Sequence, residues 1–300
     1  MAEPLSVAVR RGEIVESTHR VHAVAVQDGL VVESAGYPAL LSSLRSAAKP
    51  IQAMPLARVR DDLTEDELAI AAASHFGTPV HVESVRALLT KTGGSEDELD
   101  CGLQDGRPPE PIYHNCSGKH AGMIAVCRAR GWPVDGYRRA DHPLQRELVE
   151  EFAAAAEVAP EEVVTATDGC GVVCFALPLE RVANTFAQFE RLDGGSRVAA
   201  AMRARPVLIG GEGATDTRLM QTLPGWIAKG GAEGLLCAAS PDGLGFALEV
   251  EDGGSRALRP ALAAFGARLG LDLTAFAEVP FENSHGETVG SVTSATDERG

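Results

Sequence analysis

The sequence predicts an α+β protein in which both ends of the chain build one antiparallel sheet and a helical region is inserted between them. Three observations support this. Short β-branched runs fill residues 1–45, apolar residues take a helical spacing from residue 46, and strand-like runs return beyond residue 205. At 45% hydrophobic content, the 300 residues can bury a full core. We therefore expect a single unit, 1–300, with a sheet part (1–45 plus 205–300) and a helical part (46–204).

The individual elements follow from local pattern and turn residues. Strands are predicted at 5–9, 21–26 and 30–33, and Asp28-Gly29 is a tight hairpin turn between the last two. Apolar spacings of three and four predict helices at 46–59, 82–90, 117–130, 143–156 and 179–192. Strands at 234–239 and 245–250 flank the turn residues 240–243, and they are followed by a helix at 256–269 and a strand at 287–293.

The charge of the chain excludes some classes of partner. There are 27 basic and 42 acidic residues, which give a net charge of −15. This field disfavours nucleic acid and anionic membranes. The N-terminus lacks the apolar segment of a secretory signal and no run of about 18 apolar residues occurs, so we expect a cytoplasmic protein without a membrane span. The six cysteines are then expected to be reduced thiols.

Lysine is rare enough in this chain to direct attention to each occurrence. Only Lys49, Lys91, Lys119 and Lys229 are present. Lys49 follows Ser46 by three residues at a predicted helix start, so the two side chains share a face. A neutral lysine can activate a serine nucleophile, and S-x-x-K is the acyl-enzyme motif of β-lactamases and penicillin-binding proteins. An N-cap serine beside a solvated lysine is the simpler structural explanation of the same motif.

The other lysines divide into one structural residue and two candidates. Lys91 precedes Thr92-Gly93 and is interpreted as the end of a helix. Lys229 lies shortly before a predicted strand, where a second cation would depress the pKa of Lys49 or organise a second serine. Ser74 is the candidate for that serine, although a buried loop hydroxyl is the alternative.

The third candidate lysine lies in a reactive cluster at the predicted start of a helix. Cys116, Lys119 and His120 fall within one turn, where backbone N–H groups favour a thiolate. A second thiol of interest is Cys170, in Asp168-Gly169-Cys170-Gly171. Two thiolates with one further ligand would make an open zinc site, but lysine is a rare ligand and composition alone does not suggest it.

Taken together, these segments resemble the rhizobial-type (class 3) L-asparaginase family, also called the asparaginase II family. The similarity covers residues 15 to about 290. It is carried, in order, by Val15-Glu16-Ser17-Thr18-His19, Arg45-Ser46-Ala47-Ala48-Lys49-Pro50-Ile51-Gln52, Ala73-Ser74-His75, Asn115-Cys116-Ser117-Gly118-Lys119-His120-Ala121-Gly122-Met123, Asp168-Gly169-Cys170-Gly171-Val172 and Lys229-Gly230-Gly231-Ala232-Glu233-Gly234.

The resemblance implies a serine β-lactamase-like and glutaminase-like fold, a homodimer, and hydrolysis of L-asparagine to aspartate and ammonia. It implies that Ser46 is the nucleophile with Lys49 as its base, and that Ser74 pairs with Lys229 as a second tandem. The remaining matching positions are implied zinc ligands, Cys116, Lys119 and Cys170, and implied substrate-binding residues, Arg45, His120 and Asp168. Arg45 is suited to the α-carboxylate and Asp168 to the α-ammonium.

One departure from the family pattern and three alternatives stay open. After Ser74-His75 the family has Ser-Gly-Glu, whereas this chain has Phe76-Gly77-Thr78, which bears on substrate range. The alternatives are a penicillin-recognising serine hydrolase, a catalytically silent zinc- or amino-acid-binding protein, and a broader amidase that acts on glutamine or capped amino acids. The first predicts a downstream S-x-N or Y-x-N element and an exported chain, whereas we expect no export signal.

Overall fold

The computed structural model describes residues 2–295 and confirms the α+β class. Within this range the main sheet has eight antiparallel strands in the order β10-β11-β1-β2-β9-β8-β7, with β3 also paired to β2. Strands from both ends of the chain thus meet in one sheet. Their bounds are β1 (Leu5–Arg11), β2 (Ile14–Gln27), β3 (Leu30–Ala35), β7 (Ile227–Gly230), β8 (Leu235–Ala239), β9 (Leu244–Val250), β10 (Glu278–Glu282) and β11 (Thr288–Ser294).

Both predicted hairpins form where turn residues were identified. Asp28 and Gly29 have φ values of 49° and 76°, the left-handed pair that a two-residue hairpin loop between β2 and β3 requires. The β8–β9 turn closes with the Gly243 N–H donating to the Ser240 carbonyl at 3.1 Å. Gly243 has a φ of 86°. These two turns set the register of the strands that carry the centre of the sheet.

Two helices, α6 and α10, pack against opposite faces of the main sheet. The helices are α1 (Lys49–Val59), α2 (Glu65–Ala71), α3 (Pro79–Thr92), α4 (Ser117–Arg130), α5 (Pro143–Ala156), α6 (Leu179–Gln188), α7 (Gly195–Ala204), α8 (Pro206–Gly210), α9 (Thr215–Thr222) and α10 (Leu258–Arg268). On β9, a Cβ at Gly245 would collide with the backbone of α6, whereas the next residue, Phe246, packs its ring against Phe265 of α10. Successive strand residues point to opposite faces, so α6 and α10 cover different sides.

The structure also contains elements that the sequence pattern missed. A second sheet has the order β4-β6-β5. Its strands β5 (Val164–Thr167) and β6 (Val173–Pro178) come from the part of the chain expected to be helical, whereas β4 (Leu41–Ser43) lies just before that part. Helices α2, α7, α8 and α9 and strands β7 and β10 were also missed. Several of these elements have eight residues or fewer, which is too short to show a clear period. None of the helices in residues 2–295 has the length and apolar character that a membrane crossing requires.

Candidate functional site

The predicted nucleophile follows a strained residue at the start of a helix. Ser46 lies in a single helical turn, residues 45–48, that leads directly into α1. The preceding Arg45 has a φ of 44°, a left-handed conformation that costs a residue with a side chain about 1–2 kcal/mol. Such strain persists only where surrounding structure holds it. Here the Arg45 guanidinium donates to the Asp168 carboxylate at 2.7 Å, and Ser46 lines a cavity of about 410 Å³.

Lys49 is fully buried beside this cavity, and its hydrogen bonds converge on Ser74. Its Nζ donates to Ser74 Oγ at 2.8 Å, to the carbonyl oxygen of Ala73 at 2.7 Å and to that of Asn115 at 3.2 Å. Burial is the main reason why its pKa falls from an ordinary 10.5 to about 8, and the charge on Lys229 lowers it further. A lysine with this pKa can lose its proton near neutral pH, as a general base must.

The second predicted pair is arranged differently from the expectation. Lys229, on the edge strand β7, is 1% exposed and donates to the Gly230 carbonyl at 2.7 Å. Its Nζ also lies 3.4 Å from the carboxylate of Asp216. Ser74 lines the same cavity as Lys229, but its hydrogen-bonded lysine is Lys49. The structure therefore brings all four predicted catalytic residues to one region and links Ser74 to the lysine that the sequence had assigned to Ser46.

The three residues expected to bind zinc are brought together from α4 and the β5–β6 turn. Cys116, Lys119 and Cys170 are all buried, with Lys119 Nζ 3.1 Å from Cys170 Sγ. Cys116 Sγ lies 3.1 Å from Asn115 Oδ1, and Cys170 Sγ lies 3.8 Å from Asp168 Oδ2. Packing explains their position, since a Cβ at Gly118 would overlap with the carbonyl of Ile70 and α4 can approach α2 only with glycine there.

The charge state of this cluster bears on whether a metal fits. Interaction with the neighbouring Cys170 thiol, together with the charges on Lys49 and Lys119, holds the pKa of Cys116 well below its ordinary value, while the same interaction and burial raise the pKa of Cys170. Burial alone would lower the pKa of Lys119, but the thiols and Asp168 raise it.

Two buried sulfur donors beside an amine nitrogen are a donor set that suits zinc. Residues 2–295 hold no group of three or more His, Cys, Asp and Glu side chains that could bind a metal. A metal here therefore depends on Lys119 as a ligand.

The predicted substrate-binding residues occupy two adjoining positions. Arg45 and Asp168 form the ion pair described above; burial opposes the ionisation of Asp168, but Lys119 and Arg45 hold its pKa below the ordinary value. His120 is fully buried, and burial with the charge on Lys119 keeps its pKa well below the ordinary value, so the ring is neutral.

The two ring nitrogens of His120 have different surroundings. The Asp100 N–H donates to the Tyr137 hydroxyl at 3.0 Å, and that hydroxyl lies 2.6 Å from His120 Nδ1. Nε2, in contrast, is a buried polar nitrogen without a hydrogen-bond partner among the described residues.

Sequence reasoning missed two residues of the site. The Asn115 carbonyl accepts from Lys49, and its side-chain oxygen lies 3.1 Å from Cys116 Sγ. Asn115 belongs to the cysteine motif and also ends Tyr113-His114-Asn115, which has the Y-x-N form that a penicillin-recognising hydrolase requires, so the sequence offered two signals for it. Asp216 contacts Lys229 from α9, and no sequence pattern joins the two. Lys91, in contrast, lies at the end of α3 as predicted, before a left-handed Gly93, and pairs with Glu67 at 2.8 Å.

Comparison with known proteins adds a family match. The protein-family model described as L-asparaginase II matches residues 7–294 of this chain. No curated protein matches the chain significantly.

Similar solved structures include three whose identities and TM-scores support no conclusion about function. One is a β-lactamase from Mycobacterium bovis, with 17% identity over 84% of this chain and 95% of that one and a TM-score of 0.37. Another is a putative β-lactamase from Bacteroides dorei, with 16% identity over 81% and 92% and a TM-score of 0.45. The native form of Mglu has 13% identity over 89% and 66% and a TM-score of 0.38.

Proposed function

Because the chain belongs to the L-asparaginase II family and is an enzyme of the amidohydrolase type, we propose that it hydrolyses L-asparagine to L-aspartate and ammonia through a serine–lysine acyl-enzyme mechanism. The observation that carries the mechanism is the environment of Lys49. This lysine is fully buried, has a pKa of about 8, follows Ser46 by one helical turn and is hydrogen-bonded to Ser74.

The first step is attack of the Ser46 oxygen on the side-chain amide carbon. Neutral Lys49 takes the serine proton, and the resulting ammonium is stabilised by the acceptors that surround it. Ser74 accepts from Lys49, so its own hydroxyl proton is free to pass to the departing nitrogen and be replaced from Lys49. Ammonia leaves, a β-aspartyl ester of Ser46 forms, and water resolves the ester by the reverse proton path.

The charged groups beside Ser46 suit the two ends of an amino acid. Arg45 is a donor for the α-carboxylate, and Asp168 is an acceptor for the α-ammonium. In the free protein these two groups pair with each other, so substrate would exchange one ion pair for two. His120 Nε2, which has no partner among the described residues, is a further polar atom available to the substrate.

We propose that Cys116, Lys119 and Cys170 hold a structural zinc ion. When bound, the metal would fix these three side chains in place next to the substrate-binding groups. The residues themselves must release protons to hold it, because Cys170 and Lys119 have raised pKa values. We also propose that the protein is cytoplasmic and that it forms a homodimer, the latter as the resemblance implies. Light scattering tests the dimer against the chain mass of 31.4 kDa.

The decisive experiment is ammonia release from asparagine and from glutamine, with wild type, Ser46→Ala and Ser74→Ala. We expect asparagine hydrolysis by wild type, loss of about 10⁴-fold or more in Ser46→Ala, and a smaller loss in Ser74→Ala. Near-wild-type hydrolysis by Ser46→Ala would refute the mechanism. If glutamine or the β-lactam nitrocefin is turned over faster than asparagine, that compound, and not asparagine, is the preferred substrate.

A further inference from the structure

Asp216 is a buried carboxylate in the wall of the catalytic cavity, and neither the sequence motifs nor the proposed mechanism assigns it a role. It lies in the first turn of α9 and is 5% exposed. The cavity that it lines also contains Ser46, Ser74 and Lys229. A buried carboxylate at such a place needs partners, because an unpaired charge in the interior is costly.

Backbone N–H groups hold the Asp216 carboxylate on both sides. Oδ1 accepts from the N–H of Thr217 at 2.9 Å, and Oδ2 accepts from the N–H of Gly230 at 3.1 Å. Oδ2 also lies 3.4 Å from Lys229 Nζ. Because two backbone groups from different elements fix it, the carboxylate is a rigid acceptor, and the flexible lysine must adapt to it.

The neighbouring backbone is shaped to admit this carboxylate. A Cβ at Gly210, the last residue of α8, would overlap with Asp216 Oδ1. The backbone φ of Gly210 is not in the left-handed region, so the requirement for glycine there is one of space. Three elements, α8, α9 and β7, therefore cooperate to place a single negative charge beside Lys229.

We propose that Asp216 is a positioning residue that anchors the Lys229 ammonium at the cavity wall. The anchor keeps the charge of Lys229 at a fixed place in the wall of the cavity that Ser46 and Ser74 also line, while Lys49 serves as the base. This inference rests on the proposed function, because it assumes that both lysines serve one reaction.

The charges around Lys229 agree with this division of roles. Burial lowers the pKa of Lys229, and Asp216 opposes that change. Cys116 acts in the same direction as Asp216. Among the residues that the structure describes, the acceptors of Lys49 are, by comparison, the uncharged oxygens of Ala73, Ser74 and Asn115. A buried ion pair is weak evidence of a contribution to stability, so its place in the cavity wall favours a catalytic reason for it.

The test is a double-mutant cycle with Asp216→Asn, Lys229→Met and the double variant. Each protein is assayed for kcat and KM with asparagine, and for the rate at which a fluorophosphonate labels the active serine by forming an oxygen–phosphorus bond with loss of fluoride. Asp252→Asn is the matched control. Asp252 is largely exposed, its carboxylate lies 2.7 Å from the His19 ring, and neither residue lines the cavity.

We expect Asp216→Asn to lower kcat by about 10- to 100-fold with little change in KM, because a displaced charge affects the reaction more than binding. In the Lys229→Met background the same substitution should cost no further activity, since the group that it positions is absent. Asp216→Asn leaves a buried lysine without its carboxylate, and this variant could fail to fold for that reason. The double variant lacks both charges and avoids the problem. If Asp216→Asn does not fold, the comparison of the double variant with Lys229→Met therefore decides the question.

Two results would overturn the inference: full activity in Asp216→Asn, or a further tenfold loss when Asp216→Asn is added to Lys229→Met. If wild type does not hydrolyse asparagine but reacts with the fluorophosphonate, the proposed function fails and the labelling rates carry the cycle alone. A wild-type protein that neither hydrolyses asparagine nor is labelled overturns both.

Discussion

We expect the rate of asparagine hydrolysis to rise with the loss of one proton near pH 8, because Lys49 must be neutral to accept the proton of Ser46. The pKa of Lys49 falls from 10.5 to about 8. This difference of about 2.5 units corresponds to roughly 3 kcal/mol. At pH 7 about a tenth of the molecules would hold a neutral Lys49, and at pH 9 about nine tenths, so kcat/KM should increase by roughly tenfold between these values.

Substitution of Lys229 provides a second perturbation of the same group. The positive charge of Lys229 is one of the causes that lower the pKa of Lys49. Removal of that charge in Lys229→Met should therefore raise the pKa of Lys49 and move the acidic limb of the profile to higher pH. Lys229→Arg keeps the charge and is the matched variant, which should leave the limb close to its wild-type position.

The measurement is kcat/KM for ammonia release between pH 6 and 10, with circular dichroism at each pH to confirm that the protein is folded. A profile that is flat between pH 7 and 9 would refute the assignment of Lys49 as the base. Wild-type activity in Lys49→Arg would refute it independently, because arginine stays protonated throughout this range.

The remaining predictions concern binding, metal and packing. Arg45→Ala should raise KM for asparagine by about tenfold or more, measured by steady-state kinetics, and an unchanged KM would contradict a role in holding the α-carboxylate. Zinc affinity, measured by competition with a chelator, should increase with pH because Lys119 and Cys170 must lose protons to bind the metal. Cys170→Ser should weaken zinc binding. An affinity that does not change with pH would exclude this ligand set. Gly118→Ala should lower the free energy of unfolding by about 1–3 kcal/mol in urea titrations because its Cβ would overlap with the Ile70 carbonyl, and an unchanged stability would show that α4 can shift without cost.

Local signals in the sequence determined the regular elements that are long or bounded by strong turn residues. Helices α4 and α5 have the bounds that the apolar spacing predicts, and Asp28-Gly29 forms the expected turn. These features depend on residues close in sequence, so the pattern itself contains the information. The second sheet was missed because β4 has three residues and β5 has four, too few to establish alternation.

The sequence by itself determined the candidate serines and lysines of the site, and only the tertiary structure decided how they pair and which further residues join them. The motifs identified Ser46, Ser74 and two lysines, but the folded chain gives Ser74 to Lys49 and gives Lys229 a carboxylate from α9. A motif records residue types within one segment, whereas a hydrogen bond between distant segments depends on how whole elements pack. Asp216 illustrates this limit, since its position opposite Lys229 exists only because α8, α9 and β7 meet there.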